Sequence, residues 1–281
     1  MGNQMWQYAF AIAQKEAHPQ EEVLIDTSHF KGYGRHNGYE LDRVFTINGI
    51  GVADRKQINK VSRYIPHFMF SRIARSILPL KKTEYIDSHW YVYNSKALTL
   101  KGDRYFEGYW LSPEYFNFCK DEVKRQFTFK NIDEKNYQLG EEMINCESCS
   151  IHIRRGDYVD APTFKDICTL DYYKRAIYGL KKGGLKYTFY IFSNDLEWCK
   201  ENLSEVLDGH EVKYVEGNGG VDSYKDMYLM SCCRNMILAN SSFSWWAAYL
   251  NRNDKPMVYI PTRWVNFTDC MDVAVESWKR I

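Results

Sequence analysis

SIHIRRGDY, residues 150–158, is the stretch from which this chain is best read. Its first half is a short β-prone run and a glycine follows at 156, so the pattern predicts a buried strand ending in a turn. Alternation along a strand puts His152 and Arg154 on one side and Arg155 on the other. Two guanidiniums beside an imidazole make a poor core and a good anion site. Arginine offers planar, bidentate donors and keeps its charge at any working pH. The strand end is therefore expected to hold a diphosphate.

Downstream the pattern alternates. Strands are predicted at 187–192, 211–215, 236–239 and 256–260. Helices are predicted at 170–180, 195–203, 223–231 and 243–250, with a short terminal one near Glu276. This spacing means an α/β fold with a parallel sheet covered on both faces, and ligands in such sheets sit at the carboxyl ends of the strands. Polar groups collect at those ends. Arg154, Arg155 and Asp157 follow the first strand, and Asn194 and Asp195, an amide and an acid suited to a ribose or base, follow the second. Asn240, Ser241 and Ser242 follow the fourth and head a helix, a ready anion site. Each has a plain structural alternative: a helix cap at Ser241–Ser242, a first-turn acid at Asp195, a core histidine at His152, an ion pair between Arg154 and Asp157. Convergence on one sheet edge favours function.

The first half is less regular. An amphipathic helix is predicted from Met5 to Ala17, stopped by Pro19, then a strand at 22–26 and a Gly-, His- and Arg-rich loop at 27–38. A helix over 58–76 is interrupted near Pro66, and strands follow at 89–93 and 105–110. Ser112-Pro113 starts a helix to about residue 127. Residues 131–148 are polar and lack a clear period, which places a boundary there and divides the chain into domains 1–145 and 146–281. A Gly-Asn turn feeding a helix and then a strand is the second half of a β-α-β unit whose first strand is not in the sequence.

Composition narrows the classes. Hydrophobic residues are 45% and charged residues 26%, which suits a globular protein with a sizeable core, and a net charge of +1 argues against a general nucleic-acid binder. No apolar run approaches a membrane span and no secretion signal opens the chain. The sequons at Asn202, Asn240 and Asn266 and the Arg155-Gly156-Asp157 adhesion tripeptide therefore carry little weight. Eight scattered cysteines, with a lone C-x-x-C at Cys146 and Cys149, are expected as free thiols in a reducing compartment rather than as a zinc site. There is no D-x-D to grip a metal-bound diphosphate, no phosphate loop and no G-x-G-x-x-G. A metal-independent anion site made of arginines and a helix start is the expectation.

With these residues in view, the chain resembles the bacterial inverting α-1,2-fucosyltransferases of glycosyltransferase family 11. GNQMWQYAFAIA (2–13) is similar to the family's opening GGLGNQMFQYA element, and HIRRGDYV (152–159) to its H-x-R-R-G-D motif. FSNDLEWCKENL (192–203) and DSYKDMYLMSCCRNMILANSSFSWWAAYL (222–250) resemble its later blocks. The resemblance implies a GT-B-like fold of two Rossmann-like domains, with GDP-β-L-fucose held mainly by the C-terminal one and the acceptor on the N-terminal side. It implies Arg154 on the β-phosphate, supported by His152 and Arg155, Ser241 or Ser242 on phosphate, and Asp226 on the guanine edge. Asn3 and Gln4 would face the same diphosphate.

The implied reaction is transfer of fucose to O2 of a terminal galactose on a glycan, without cofactor or metal, during assembly of a bacterial surface polysaccharide. A cytoplasmic protein is implied, compatible with peripheral association at the inner face of the membrane. Asp157 belongs to the motif as a catalytic candidate or as the arginines' anchor, Asp160 is the other carboxylate nearby, and the general base stays open. Other linkages or acceptors, and a GDP-sugar-binding protein with impaired turnover, are the alternatives. The family places a hydrophobic strand and paired glycines before GNQ; Met1 stands there in this sequence, so an N-terminal sheet short of a central strand and a less stable chain are expected.

Overall fold

The computed structural model describes residues 1–30 and 37–281. Residues 31–36, half of the loop expected at 27–38, lie outside the described residues; Ser28–Phe30 forms a 3-10 turn. The chain divides into two compact units, one of Met1 and Asn3–Lys130, the other of Gly2 and Asn131–Ile281.

The second unit is built on six strands: β1 (Ser148–Ile153), β2 (Thr188–Ser193), β3 (Glu211–Tyr214), β4 (Asn235–Ile237), β5 (Val258–Ile260) and β6 (Lys279–Arg280). They pair in parallel throughout, in the order β6-β5-β4-β1-β2-β3. The central β1 is buried along its whole length, and Ile151 pairs with Ile191 on one side and Ile237 on the other. Helices on both faces bury both sides of the central strands, which is why SCSIHI and TFYIFS read as nearly continuous apolar runs. The chain winds outward from β1 through β2 to β3, then returns to the other side of β1 as β4. That reversal between β1 and β4 is the topological switch point, where open α/β sheets leave a crevice beyond the strand ends.

Helix α1 (Glu134–Ile144) leads into β1, and α2 (Leu170–Lys181), α3 (Leu196–Leu203), α4 (Tyr224–Cys232) and α5 (Ser242–Tyr249) connect the strands from β1 to β5. Thr169 caps α2 by accepting from the Tyr172 amide at 3.3 Å. Tyr172 and Tyr173 in its first turn are fully buried, and each hydroxyl finds a backbone carbonyl. Tyr172 donates to Leu238 O at 2.6 Å and Tyr173 to His152 O at 3.1 Å, so α2 pins the ends of β4 and β1. SFSWWAAY of α5 is apolar on nearly every face because six of its eight residues are buried.

In the first unit a helix at Gly2–Ala17 buries Trp6, Ala9, Phe10 and Ala13. Phe10 stacks on Trp110 with centroids 3.9 Å apart. The strands are short parallel pairs, Leu24–Ile25 with Gly51–Val52 and Glu84–Ile86 with Tyr105–Glu107. The break expected near Pro66 separates the helices Arg55–Val61 and Phe68–Ile77, the first opened by a capping box of Asp54 and Gln57.

Four expectations change. Residues 131–148 contain α1, capped by Asp133; its inward positions are Asn136, Gly140 and Met143, a helical repeat of burial without an apolar stripe. Gly140 is there because a Cβ would stand 3.0 Å from the Tyr228 ring of α4. Residues 89–93 form no strand: Trp90 packs edge-on to Tyr109 at 4.8 Å, so its aromatic character serves packing instead. Ser112 does cap Glu114, but two 3-10 turns precede the α-helix Lys120–Gln126. The terminus near Glu276 is no helix, since Lys279–Arg280 add to the sheet edge as β6 while Trp278 packs on Trp245 at 5.3 Å.

Candidate active site

The switch point brings HIRRGD and ANSS together. His152 is the fifth residue of β1 and is buried, its ring 5.9 Å from that of Phe243 in α5. Burial, helped by the neighbouring Arg154 charge, pulls its pKa down to about 3, so the imidazole is neutral at pH 7. Its Nδ1 is buried with no hydrogen-bond partner among the described residues. A buried polar atom left in this way is uncommon and marks a place where a partner is wanted.

Arg154 leaves the strand end half-exposed and pairs with Asp157 at 2.8 Å, with 39% and 62% of the two side chains accessible. Its guanidinium lies 5.5 Å from the centre of the Tyr158 ring. Burial pushes that phenol up to about 12, so it is neutral at pH 7. Ser241 is the N-cap of α5 and accepts from the Phe243 amide at 3.3 Å; Ser242 is the first helical residue. Asn240 is fully occupied in holding the turn, donating to Trp264 O at 3.1 Å and accepting from the Cys168 thiol at 3.5 Å. An anion at this junction would meet Arg154 and the positive end of α5.

Arg155 faces the other way. Its amide donates to Asn194 Oδ1 and its Nε to Asp195 Oδ2, both at 2.9 Å. The guanidinium stacks 4.2 Å over Trp198 of α3. Asp195 also caps α3 by accepting from the Trp198 amide, and the Arg155 contact holds its carboxyl below the usual range. Gly156 adopts φ +45°, and a Cβ there would stand 2.5 Å from Asn194 Nδ2, so only glycine fits the turn. Asn194 Oδ1 and Asp195 Oδ2 thus hold Arg155, and the ring of Trp198, not anticipated from the sequence, lies against its guanidinium.

Asp226 lies in the first turn of α4 and accepts from Asn218 Nδ2 at 2.9 Å. Asn218 and Asn136 exchange hydrogen bonds at 2.8 and 3.2 Å, and Asn136 donates to Asp133. Burial raises the Asp226 carboxyl to about 6, against the lowering effect of Asn218. Neither asparagine was anticipated; the only hint was the Gly217-Asn218-Gly219-Gly220 loop after β3.

The remaining expected residues are placed as follows. Asn3 and Gln4 lie in the first turn of the opening helix. Gln4 is buried, donates to Gly38 O at 2.7 Å and accepts from the Glu40 amide at 3.0 Å, so its amide holds the chain at 38–40. Asp157 sits in a 3-10 turn after β1, and Asp160 is exposed two residues beyond it. Among the described residues no group of three His, Cys, Asp or Glu is disposed to hold a metal ion.

This site is carried by a chain that belongs to glycosyl transferase family 11, whose model matches residues 78–279. Over 289 residues it is 33% identical to an α-1,2-colitosyltransferase of Escherichia coli, covering 100% of this chain and 96% of that protein. It is 26% identical to galactoside α-(1,2)-fucosyltransferase 2 of Mus musculus, over 76% of this chain and 70% of the mouse protein. A solved structure of POFUT1 in complex with GDP-fucose aligns at 12% identity and a TM-score of 0.46, over 90% of this chain and 91% of that one. The family resemblance drawn from HIRRGD and ANSSFSWW is therefore a true relationship.

Proposed function

We propose that this chain transfers L-fucose from GDP-β-L-fucose to O2 of a terminal galactose on a glycan, inverting the anomeric centre and using no metal ion. The observation that carries the reading is the switch point. There a lightly held Arg154, a neutral His152 with an unpartnered Nδ1 and the N-terminal end of α5 adjoin one another. The family and the α-1,2 activities named for its members support the linkage.

In this reading the acceptor O2 attacks the fucose anomeric carbon as the bond to the β-phosphate oxygen breaks. The electron pair leaves with GDP and the hydroxyl proton goes to a base. Arg154 neutralises the charge that grows on the leaving phosphate, a contribution on the order of 3 kcal/mol for one such donor. His152, neutral at pH 7, donates a hydrogen bond to the same oxygens, and Ser241 or Ser242 adds a hydroxyl at the helix end. Arg155 positions the turn from which Arg154 springs. Asp226 accepts from the donor edge of guanine. Asp157 holds Arg154 rather than taking the proton. The absence of a D-x-D in the sequence supports charge neutralisation by arginine and helix.

The eight free cysteines suit a reducing, cytoplasmic setting. Incubation with GDP-fucose and lactose in the presence of a chelator tests the reading. GDP release with an α-1,2 linkage by NMR is expected; no GDP release would favour a binding protein, and another linkage would move the acceptor assignment. A second donor is favoured by the 33% identity to a colitosyltransferase. Colitose is fucose without its 3-hydroxyl, so competition between the two GDP-sugars at equal concentration identifies the donor that the site prefers.

A further inference from the structure

The helix Phe68–Ile77 turns the wrong face to water. Met69, Phe70, Ile73 and Ile77 are 62%, 64%, 53% and 74% exposed, whereas Ser71 is buried. At 100° per residue these four apolar positions fall within one arc about 100° wide. The apolar surface continues into Leu78 and Leu80, both exposed. A water-facing helix in a globular protein normally shows the opposite arrangement. Contiguous apolar surface of this kind marks an interaction site.

The charge around it is one-sided. Residues 63–83 contain five Lys or Arg and no Asp or Glu, in a chain whose formal net charge is +1. No helix among the described residues is long and apolar enough to cross a membrane. An apolar arc within a cationic segment of ten helical residues is the arrangement of a helix lying in the lipid headgroup region. The helix precedes residue 78, where the match to the family model begins.

We infer that Phe68–Ile77 is an interfacial anchor that docks the first unit on an anionic lipid surface, with Met69, Phe70, Ile73 and Ile77 entering the headgroup layer. The inference holds whichever donor sugar the strand-end site takes. It is tested by cosedimentation of the full chain with vesicles of phosphatidylcholine alone and of an equimolar mixture with phosphatidylglycerol. Binding to the anionic vesicles is expected, weakened by high salt and reduced about tenfold or more in the double variant Phe70→Ser/Ile77→Ser. Turnover on a soluble acceptor and Tm should stay at the parent values, since these side chains already face water. Hydrogen exchange gives an independent readout: amides of 68–77 should gain protection when anionic vesicles are added. Failure of the parent chain to bind anionic vesicles, or equal binding by the double variant, would overturn the proposal. So would concentration-dependent self-association that the double variant abolishes, because the face would then belong to a second copy.

Discussion

Arg154 and Arg155 are neighbours in sequence, yet the two flanks of the β1 end treat them differently. Toward β4, Arg154 has a half-exposed carboxylate partner and the ring of Tyr158 nearby, while the buried His152 Nδ1 has no partner among the described residues. Toward β2, Arg155 is held by Asn194, Asp195 and the face of Trp198 at once. Farther along the sheet, Asp226, Asn218, Asn136 and Asp133 likewise close on one another. One flank keeps a buried nitrogen without a partner among the described residues, and the other joins its polar groups to one another. A half-exposed ion pair is worth about 0 to 1 kcal/mol, so a diphosphate can displace Asp157 from Arg154 at little cost. The Arg155 guanidinium would have to leave both Asp195 and Trp198. The difference is the ground on which the proposal gives ligand contact to Arg154 and positioning to Arg155.

Breaking the open flank should have the largest effect. Arg154→Ala is expected to lower kcat/KM by about 100- to 1000-fold, while stability changes by about 1 kcal/mol or less. Turnover assays with urea titrations check both numbers. Comparable turnover losses from Arg154→Ala and Arg155→Ala would erase the contrast.

Asp226 gives the next largest effect, and it separates stability from binding. Its carboxyl is raised to about 6, so its contribution to stability is full below the ordinary value near 3.8 and is lost as pH rises through 6. At pH 7 Asp226→Asn should therefore stabilise the fold by about 2 kcal/mol while weakening GDP binding about tenfold or more. His152 has the opposite sign. Its folded value near 3 means that its contribution is full above 6.5 and is lost as pH falls from there toward 3. The parent chain balances these slopes between pH 6.5 and 4; in Asp226→Asn the urea midpoint should fall steadily with pH over that window. An unchanged pH profile in the variant would remove Asp226 from the account, and unchanged GDP affinity would remove it from the guanine edge.

The sheet and the polar cluster at its carboxyl edge were legible because β1 to β5 announce themselves as apolar runs at regular spacing, and because HIRRGD and ANSS each sit at the end of a strand. The division of labour was not legible. Whether Arg154 or Arg155 is the freer depends on Asp195 and Trp198, brought alongside from the next strand and helix by pairing such as Ile153 with Ser193. The Asn136–Asn218 pair spans 82 residues of sequence and leaves no periodic trace. Helix α1 escaped because Asn136 and Gly140 occupy buried positions where an apolar stripe would have been expected. The exposed face of Phe68–Ile77 was hidden for the converse reason: apolar periodicity tells where a helix has a greasy side, not which way that side points.

On the closed flank, Arg155→Ala should lower turnover roughly tenfold through misplacement of the turn that carries Arg154. It should also lower Tm, because Trp198 and Asp195 lose their common partner. Arg155→Lys keeps the charge but neither the stacking nor the planar fork, and should behave nearly as badly. Rescue by lysine would mean that only charge matters there, and the positioning role would fail.

The smallest effect is expected at Asp157, and it decides what that carboxylate is for. As a holder of Arg154 across a 2.8 Å contact between half-exposed groups, it biases the guanidinium toward the strand end. Loss of that bias in Asp157→Asn is worth about 1 kcal/mol or less, up to roughly fivefold in kcat/KM. A general base removed in the same way would cost about 100- to 10,000-fold. The two roles also differ in pH dependence: losing a base erases the acid limb of the kcat/KM profile, whereas losing a holder leaves the limb in place and lowers the whole curve. Asp160→Asn, measured alongside, separates the motif's carboxylate from its neighbour. A fivefold drop with the acid limb intact would leave Asp157 on the side of Arg154, and a hundredfold drop without that limb would transfer it to the acceptor.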